Sequence, residues 1–180
     1  MNDYRSLNDD DSERLINWWR RLQDNPGERA QLRRADSPSD ALLTTAFAQF
    51  LRQMPGYWGV DSGAGILLSD AALVATILAR VKEHVEGRSF AKTLGMPKEV
   101  GGKAVMSELR FQQLQKSRTE DEFFLRLCRA LALLDGKVNI ISLADNILHW
   151  LREYRFAPAT RAQNRLAVKW ASDYYSVFKE

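Results

Sequence analysis

Thr119-Glu120-Asp121-Glu122-Phe123-Phe124-Leu125-Arg126-Leu127-Cys128-Arg129-Ala130-Leu131-Ala132-Leu133-Leu134-Asp135-Gly136 is the stretch that decides the fold class. Thr119 is a helix-capping residue, and Glu122 three positions on can reach back to the cap backbone, the pattern of a capping box. Phe123, Phe124, Leu127, Leu131 and Leu134 recur at helical spacing and share one face. Arg126 and Arg129 fall opposite the phenylalanines, and Gly136 stops the helix. No alternation of apolar and polar residues competes with this reading, as a strand would require.

The same spacing repeats outward in both directions. A helix over about Ser12–Asp24 carries Leu15, Trp18, Trp19 and Leu22, and Asn25-Pro26-Gly27 breaks it. A second follows over about Glu28–Ala35. Ser37-Pro38-Ser39-Asp40 opens a third that reaches about Arg52 and buries Leu43, Phe47, Phe50 and Leu51. Residues 54–68 read as a structured aromatic and glycine loop. Ser69 and Asp70 open a helix to about Val85. Residues 87–106, rich in glycine and lysine, read as the longest loop, one that is mobile or ordered only by a ligand. A short helix from Ser107 to about Gln115, a helix from Asn139 to about Tyr154 and a last one from Pro158 to about Phe178 complete the chain. The expected architecture is all-α: a two-lobed helical bundle of about seven to eight helices. It comprises a flexible acidic tail (1–11), an N-terminal helical lobe (12–86), a basic glycine-containing loop (87–106) and a C-terminal helical lobe (107–180).

Composition bounds the function. A chain of 180 residues buries about 70% of the surface its unfolded form exposes, so it needs no metal or disulfide to fold. Its single cysteine, Cys128, forms no intrachain disulfide and points to a reducing cytoplasm. The polar, acidic Met1–Arg14 is not a signal peptide, and no run approaches the 18 apolar residues of a membrane span. The net charge of +3 is unremarkable, but its distribution is not. Residues 1–86 carry 10 Lys and Arg against 13 Asp and Glu; residues 87–118 carry 7 against 2; residues 119–180 carry 9 against 8. The middle of the chain is therefore a basic segment suited to a polyanion.

Catalysis finds little support in the residues. His84 and His149 have no neighbour resembling a metal pair or a nucleophile–base set and read as surface or helix-end side chains. Gly63-Ala64-Gly65 follows no strand, so it is not a dinucleotide loop. No catalytic residue, metal or cofactor is expected. Arginines are the stronger signal. Arg161, Arg165 and Lys169 are spaced i, i+4, i+8 and would share one face of the last helix. Arg29 and Arg33 share a face of the second helix, with Arg34 beside them. The planar guanidinium fork suits phosphate oxygens, and no helix-turn-helix is evident, which favours backbone binding without sequence readout. Trp18, Trp19, Trp150 and Trp170 lie at core spacing, whereas Trp58 in its loop is freer to stack on a base. A structural adaptor, whose arginines pair with acidic partner proteins, is the alternative reading.

Four ordered blocks carry a family resemblance. They are Trp18-Trp19 with Leu22 followed by Gly27–Ala35; Ser107–Leu114 with Ser117-Arg118; Leu131–Trp150, containing Gly136-Lys137-Val138-Asn139; and Arg165 through Trp170-Ala171 to Asp173-Tyr174-Tyr175. Together they span about 14–176, and their order and spacing resemble the small subunit of the type I-E CRISPR Cascade surveillance complex, the CasB family. The resemblance implies a two-lobed helical protein without catalytic activity or metal. It implies that two copies sit beside the backbone subunits that hold the CRISPR RNA. There they touch the RNA and the target and non-target DNA strands, along with the backbone and large subunits, and help hold the displaced strand of the R-loop. The positions matching basic members of the family pattern are Arg33, Arg34, Arg110, Arg118 and Lys137; Arg161, Arg165 and Lys169 come from spacing, with Arg165 also inside the last block. Leu109 stands where some relatives carry a base.

Overall fold

The computed structural model describes residues 5–179. Among these the chain forms ten α-helices: α1 (Asp9–Gln23), α2 (Pro26–Arg33), α3 (Pro38–Ala41), α4 (Thr45–Gln53), α5 (Leu68–Leu78), α6 (Phe90–Gly95), α7 (Glu108–Gln115), α8 (Glu120–Leu133), α9 (Ile140–Arg155) and α10 (Leu166–Ser176). Two very short parallel strand pairs accompany them. One joins β1 (Trp58–Val60) to β2 (Ile66–Leu67), the other β3 (Glu83–His84) to β4 (Lys137–Val138). The all-helical expectation stands.

α5 is the centre of the molecule. Asp70 to Leu78 are all buried, as a helix that is apolar all round must be. It packs against α2, α3 and α4 from the first half of the chain and against α8 and α9 from the second. The buried apolar residues form one contiguous cluster running from Leu7 to Tyr174. Trp18, Trp19, Trp150 and Trp170 all belong to it.

Three polar joints fix the halves to each other. Lys82 and Glu83 donate backbone N–H groups to the Gly136 carbonyl, at 2.8 and 3.2 Å, which starts the β3–β4 pairing. Gly136 sits at φ +70°, in the left-handed region, directly against the Lys82 side chain. Arg155, the last residue of α9, holds Asp70 in α5 through both guanidinium ends and Glu120 at the start of α8 at 2.9 Å. Both carboxylates sit in the first turn of a helix and the arginine at a helix C-terminus, so all three charges also favour the helix dipoles. Arg80 donates to the carbonyls of Arg33 and Ala35, each at 3.0 Å, and lies over the Phe124 ring at 5.2 Å, clamping the end of α2 onto α8.

Several boundaries differ from the sequence expectation, each for a local reason. The acidic segment does not stop short of the first helix: Asn8 and Asp11 form a reciprocal capping box, and α1 starts at Asp9. Asp11 is only 2% exposed, because its second carboxylate oxygen accepts from the Tyr57 hydroxyl (2.5 Å) and the Trp58 indole (2.9 Å). Trp58 is therefore buried, not free to stack on a base. Ser6 and Leu7 are also held, their N–H groups donating to Asp145 in α9. Residues 1–4 of the expected tail lie outside the described residues. The expected helix from Ser37 is two helices, because Thr44 accepts from Phe47 N–H and caps a new start; Leu43 falls in the turn between them and is 94% exposed. α5 ends at Leu78, since residues 82–85 turn to pair with 136–138.

The basic 87–106 segment is not merely a loop. Ser89 caps α6, and Phe90, Ala91 and Leu94 are fully buried against α10. The Phe90 ring meets Trp170 edge-on at 5.8 Å. Tyr174 in α10 donates its hydroxyl to the Met106 carbonyl at 2.7 Å. A Cβ on Gly95 would lie 2.5 Å from the Tyr174 backbone oxygen, so glycine is what lets α6 and α10 approach. Gly95→Ala is expected to cost about 2 kcal/mol as an overpacked contact that no side chain can relieve. Chemical denaturation of the full chain measures it, and a loss below about 0.5 kcal/mol would show that the two helices can part without cost.

Candidate nucleic-acid interface

The positively charged residues predicted from sequence fall into separate groups. Arg33 and Arg34 are exposed at the C-terminal end of α2, on the turn whose carbonyls Arg80 holds. Arg110 is exposed on α7, and Arg118 is exposed in the turn from α7 to α8, where its backbone N–H donates to Glu122. Lys137 is exposed in β4, 3.8 Å from Glu83.

The expected stripe on the last helix does not form. α10 begins only at Leu166, whose N–H donates to the Glu153 carboxylate at 3.0 Å. Arg165 is extended ahead of it, with Nε donating to the Ala159 carbonyl, and Arg161 precedes a single 3-10 turn at Ala162–Asn164. Lys169 is half-buried on α10, on the side facing His149. The three side chains thus occupy different backbone settings, although Arg161 and Arg165 are exposed.

A concentration of positive charge lies elsewhere, between α7 and α8. A cleft of about 530 Å³ opens there, with Lys98, Arg110, Arg126 and Arg129 around it and Met106, Leu114, Ala132 and Leu133 beneath. Arg126 is anchored from behind: it donates to the Gln113 carbonyl and the Ser117 hydroxyl and pairs with Glu122 one turn earlier. Arg110 and Arg129 are exposed and, among the described residues, their side chains have no ion-pair partner. Lys98 also faces Asp135, as do Lys82, at 3.2 Å, and Lys137. Lys82, Lys137, Lys98, Arg110, Arg129 and Arg126 therefore form one basic track, in which Lys82 pairs with Asp135, Lys137 with Glu83 and Arg126 with Glu122. Lys82, Lys137 and Lys98 hold the exposed Asp135 carboxyl below its usual range, the Lys82 hydrogen bond first among the causes.

Arg126 and Arg129 were legible as the polar face of the capping-box helix. Lys82 and Lys98 were not, because only the β3–β4 pairing and the turn after α6 bring them beside α8. Some arginines prove structural. Arg29 donates to the carbonyls of Ala79 and Val81 at 3.1 and 3.2 Å, closing the end of α5, and burial lowers its pKa.

The histidines differ from expectation as well. His149 is 1% exposed within α9, its Nε2 3.0 Å from Glu153, which in turn caps α10. Burial pushes the His149 pKa down, with Glu153 opposing that shift. His84 Nδ1 accepts from the Ile140 N–H at the start of α9. Among the described residues no group of three metal-ligating side chains converges, and no helix is long and apolar enough to cross a membrane.

The family model of the CRISPR-associated protein Cse2 matches residues 28–175. The chain belongs to the Cse2 family. All eight positively charged residues predicted as contacts, and all six of the basic track, fall inside the matched span. The CRISPR-associated protein Cse2 of Thermus thermophilus is 30% identical over 174 residues, covering 91% of this chain and 89% of that protein. The crystal structure of CasB from Thermus thermophilus superposes with a TM-score of 0.63 at 25% identity, over 92% of this chain and 97% of that one. The Cse2 fold therefore extends over nearly the whole chain, α6 and the basic track included.

Proposed function

We propose that the chain is the non-catalytic small subunit of a type I-E Cascade complex. It binds nucleic-acid backbone without sequence preference, supports assembly of CRISPR RNA with its target, and stabilises the displaced strand of the R-loop. The observation that carries this reading is the basic track along α8, six cations beside a cleft of which three are held in ion pairs. Arginine and lysine on rigid helices neutralise phosphates without reading bases. R-loop formation exchanges one duplex for another of nearly equal stability, so a few protein–backbone contacts can tip it. Arg33 and Arg34 form a second, smaller patch on the fixed end of α2, and Arg118 extends the track at the turn before α8. Partners are CRISPR RNA, the target and non-target DNA strands, the backbone and large subunits, and a second copy of the chain; the working compartment is the cytoplasm.

Assembly tests the reading. Tagged full-length chain, co-expressed with the other Cascade genes and a CRISPR array, should co-purify with CRISPR RNA and the backbone subunits. Recovery of the chain free of both would contradict it. Recovery with the proteins, in a complex whose target binding is unchanged when Arg110 and Arg129 are neutralised, would favour the adaptor alternative.

A further inference from the structure

We infer that the cleft between α7 and α8 is a subsite for one unpaired nucleotide, its base inserted on the apolar floor and its phosphate held at the rim. This rests on the reading above and adds to it. Backbone binding needs only exposed cations, which a convex helix face supplies. The cleft is more than that. Its volume of about 530 Å³ lies inside the range of about 300–1,000 Å³ for small-molecule sites. Its floor is Met106, Leu114, Ala132 and Leu133, apolar side chains from α7, from α8 and from the segment ahead of α7. A phosphate alone gains nothing from such a floor, whereas a flat base buries one face on it.

The rim suits the rest of a nucleotide. Arg126 is fixed by the Gln113 carbonyl, Ser117 and Glu122, so its guanidinium presents a preorganised plane beside the floor. Bases stack on arginine planes as well as on aromatic rings. Gln113 lines the same cleft and brings an amide, which can both donate to and accept from a base edge. Arg110 and Arg129, exposed and without ion-pair partners among the described residues, stand where the flanking phosphates would lie. An acidic peptide segment would satisfy the arginines but would leave the apolar floor unfilled unless it also carried an apolar side chain. The combination of apolar floor, guanidinium plane and two exposed arginines favours the nucleotide.

The test compares two DNA single strands of equal length and charge, one of mixed sequence and one made of abasic sites, binding to the full chain at low salt. The unsubstituted chain should prefer the base-bearing strand by about tenfold, the scale of one stacked base. Ala132→Phe, which places a ring on the floor at an exposed helix position, should collapse that preference toward unity. Equal binding of both strands by the unsubstituted chain would overturn the subsite while leaving backbone binding intact, and would leave the cleft to a partner protein. A preference that survives Ala132→Phe would also overturn it, by placing the base elsewhere. Binding of neither strand would remove the nucleic-acid reading itself, and the subsite with it.

Discussion

Replacing Arg155 with methionine should cost the folded chain about 3 kcal/mol, the cost of removing one partner from a largely buried ion pair. Among the described residues Arg155 is the only cation that reaches both Asp70 and Glu120, and the Asp70 side chain is only 10% exposed. Methionine fills much of the same volume but leaves two carboxylates near one another without their partner. The two hydrogen bonds to Asp70 come first among the effects that hold the guanidinium even more firmly charged than usual. The joint is also topological: it ties the first turns of α5 and α8 to the last turn of α9, so its loss loosens both halves of the bundle together. For a domain of this size the loss corresponds to a fall of roughly 6–12 °C in Tm. Adding Asp70→Asn in the same chain should recover part of it, because the most deeply buried unpaired charge is then gone. Guanidinium unfolding of the three proteins decides the matter; a single-variant loss under about 1 kcal/mol would mean that water already solvates the carboxylates.

The second large effect concerns binding. Neutralising Arg110 and Arg129 together to alanine should weaken single-strand affinity about tenfold, at up to about 1 kcal/mol for each exposed contact to phosphate. It should also flatten the log–log dependence on salt by about 1.4, two phosphates at about 0.7 each. Both residues are exposed and without ion-pair partners among the described residues, so the fold should tolerate their removal. Neutralising Arg161 and Arg165 is the informative contrast. Those residues lie ahead of α10 and do not line the α7–α8 cleft, so a smaller effect is expected there. If the contrast reversed, the basic track would not be the principal contact surface.

How much of this was legible in the sequence depended on whether a signal was local. The capping box at Thr119–Glu122 and the apolar face behind it are written in consecutive residues, and α8 forms as its sequence implies. The core tryptophans followed from spacing in the same way. Trp58 did not, because its partner Asp11 lies 47 residues away and looked like part of a solvated acidic run. α6 was hidden by composition: the glycines and lysines of residues 87–106 outweighed Ser89 and the helically spaced Phe90, Ala91 and Leu94. The stripe at Arg161, Arg165 and Lys169 failed for the opposite reason. Spacing alone supported it, and the Glu153 carboxylate, brought in from α9, sets the start of α10 at Leu166. The candidate site was half legible. Arg110 was marked by its motif and Arg126 and Arg129 by their helix face, but Lys82 and Lys98 reach the track only through tertiary contacts that no local pattern encodes.

In the proposed function the track along α8 holds single-stranded nucleic acid by its backbone. The most direct measurement is the affinity of the full chain for a mixed-sequence DNA single strand as salt is raised. Contact with about three phosphates predicts a log–log slope near −2, the same for strands of different sequence. A flat response, or no binding even at low salt, would contradict it.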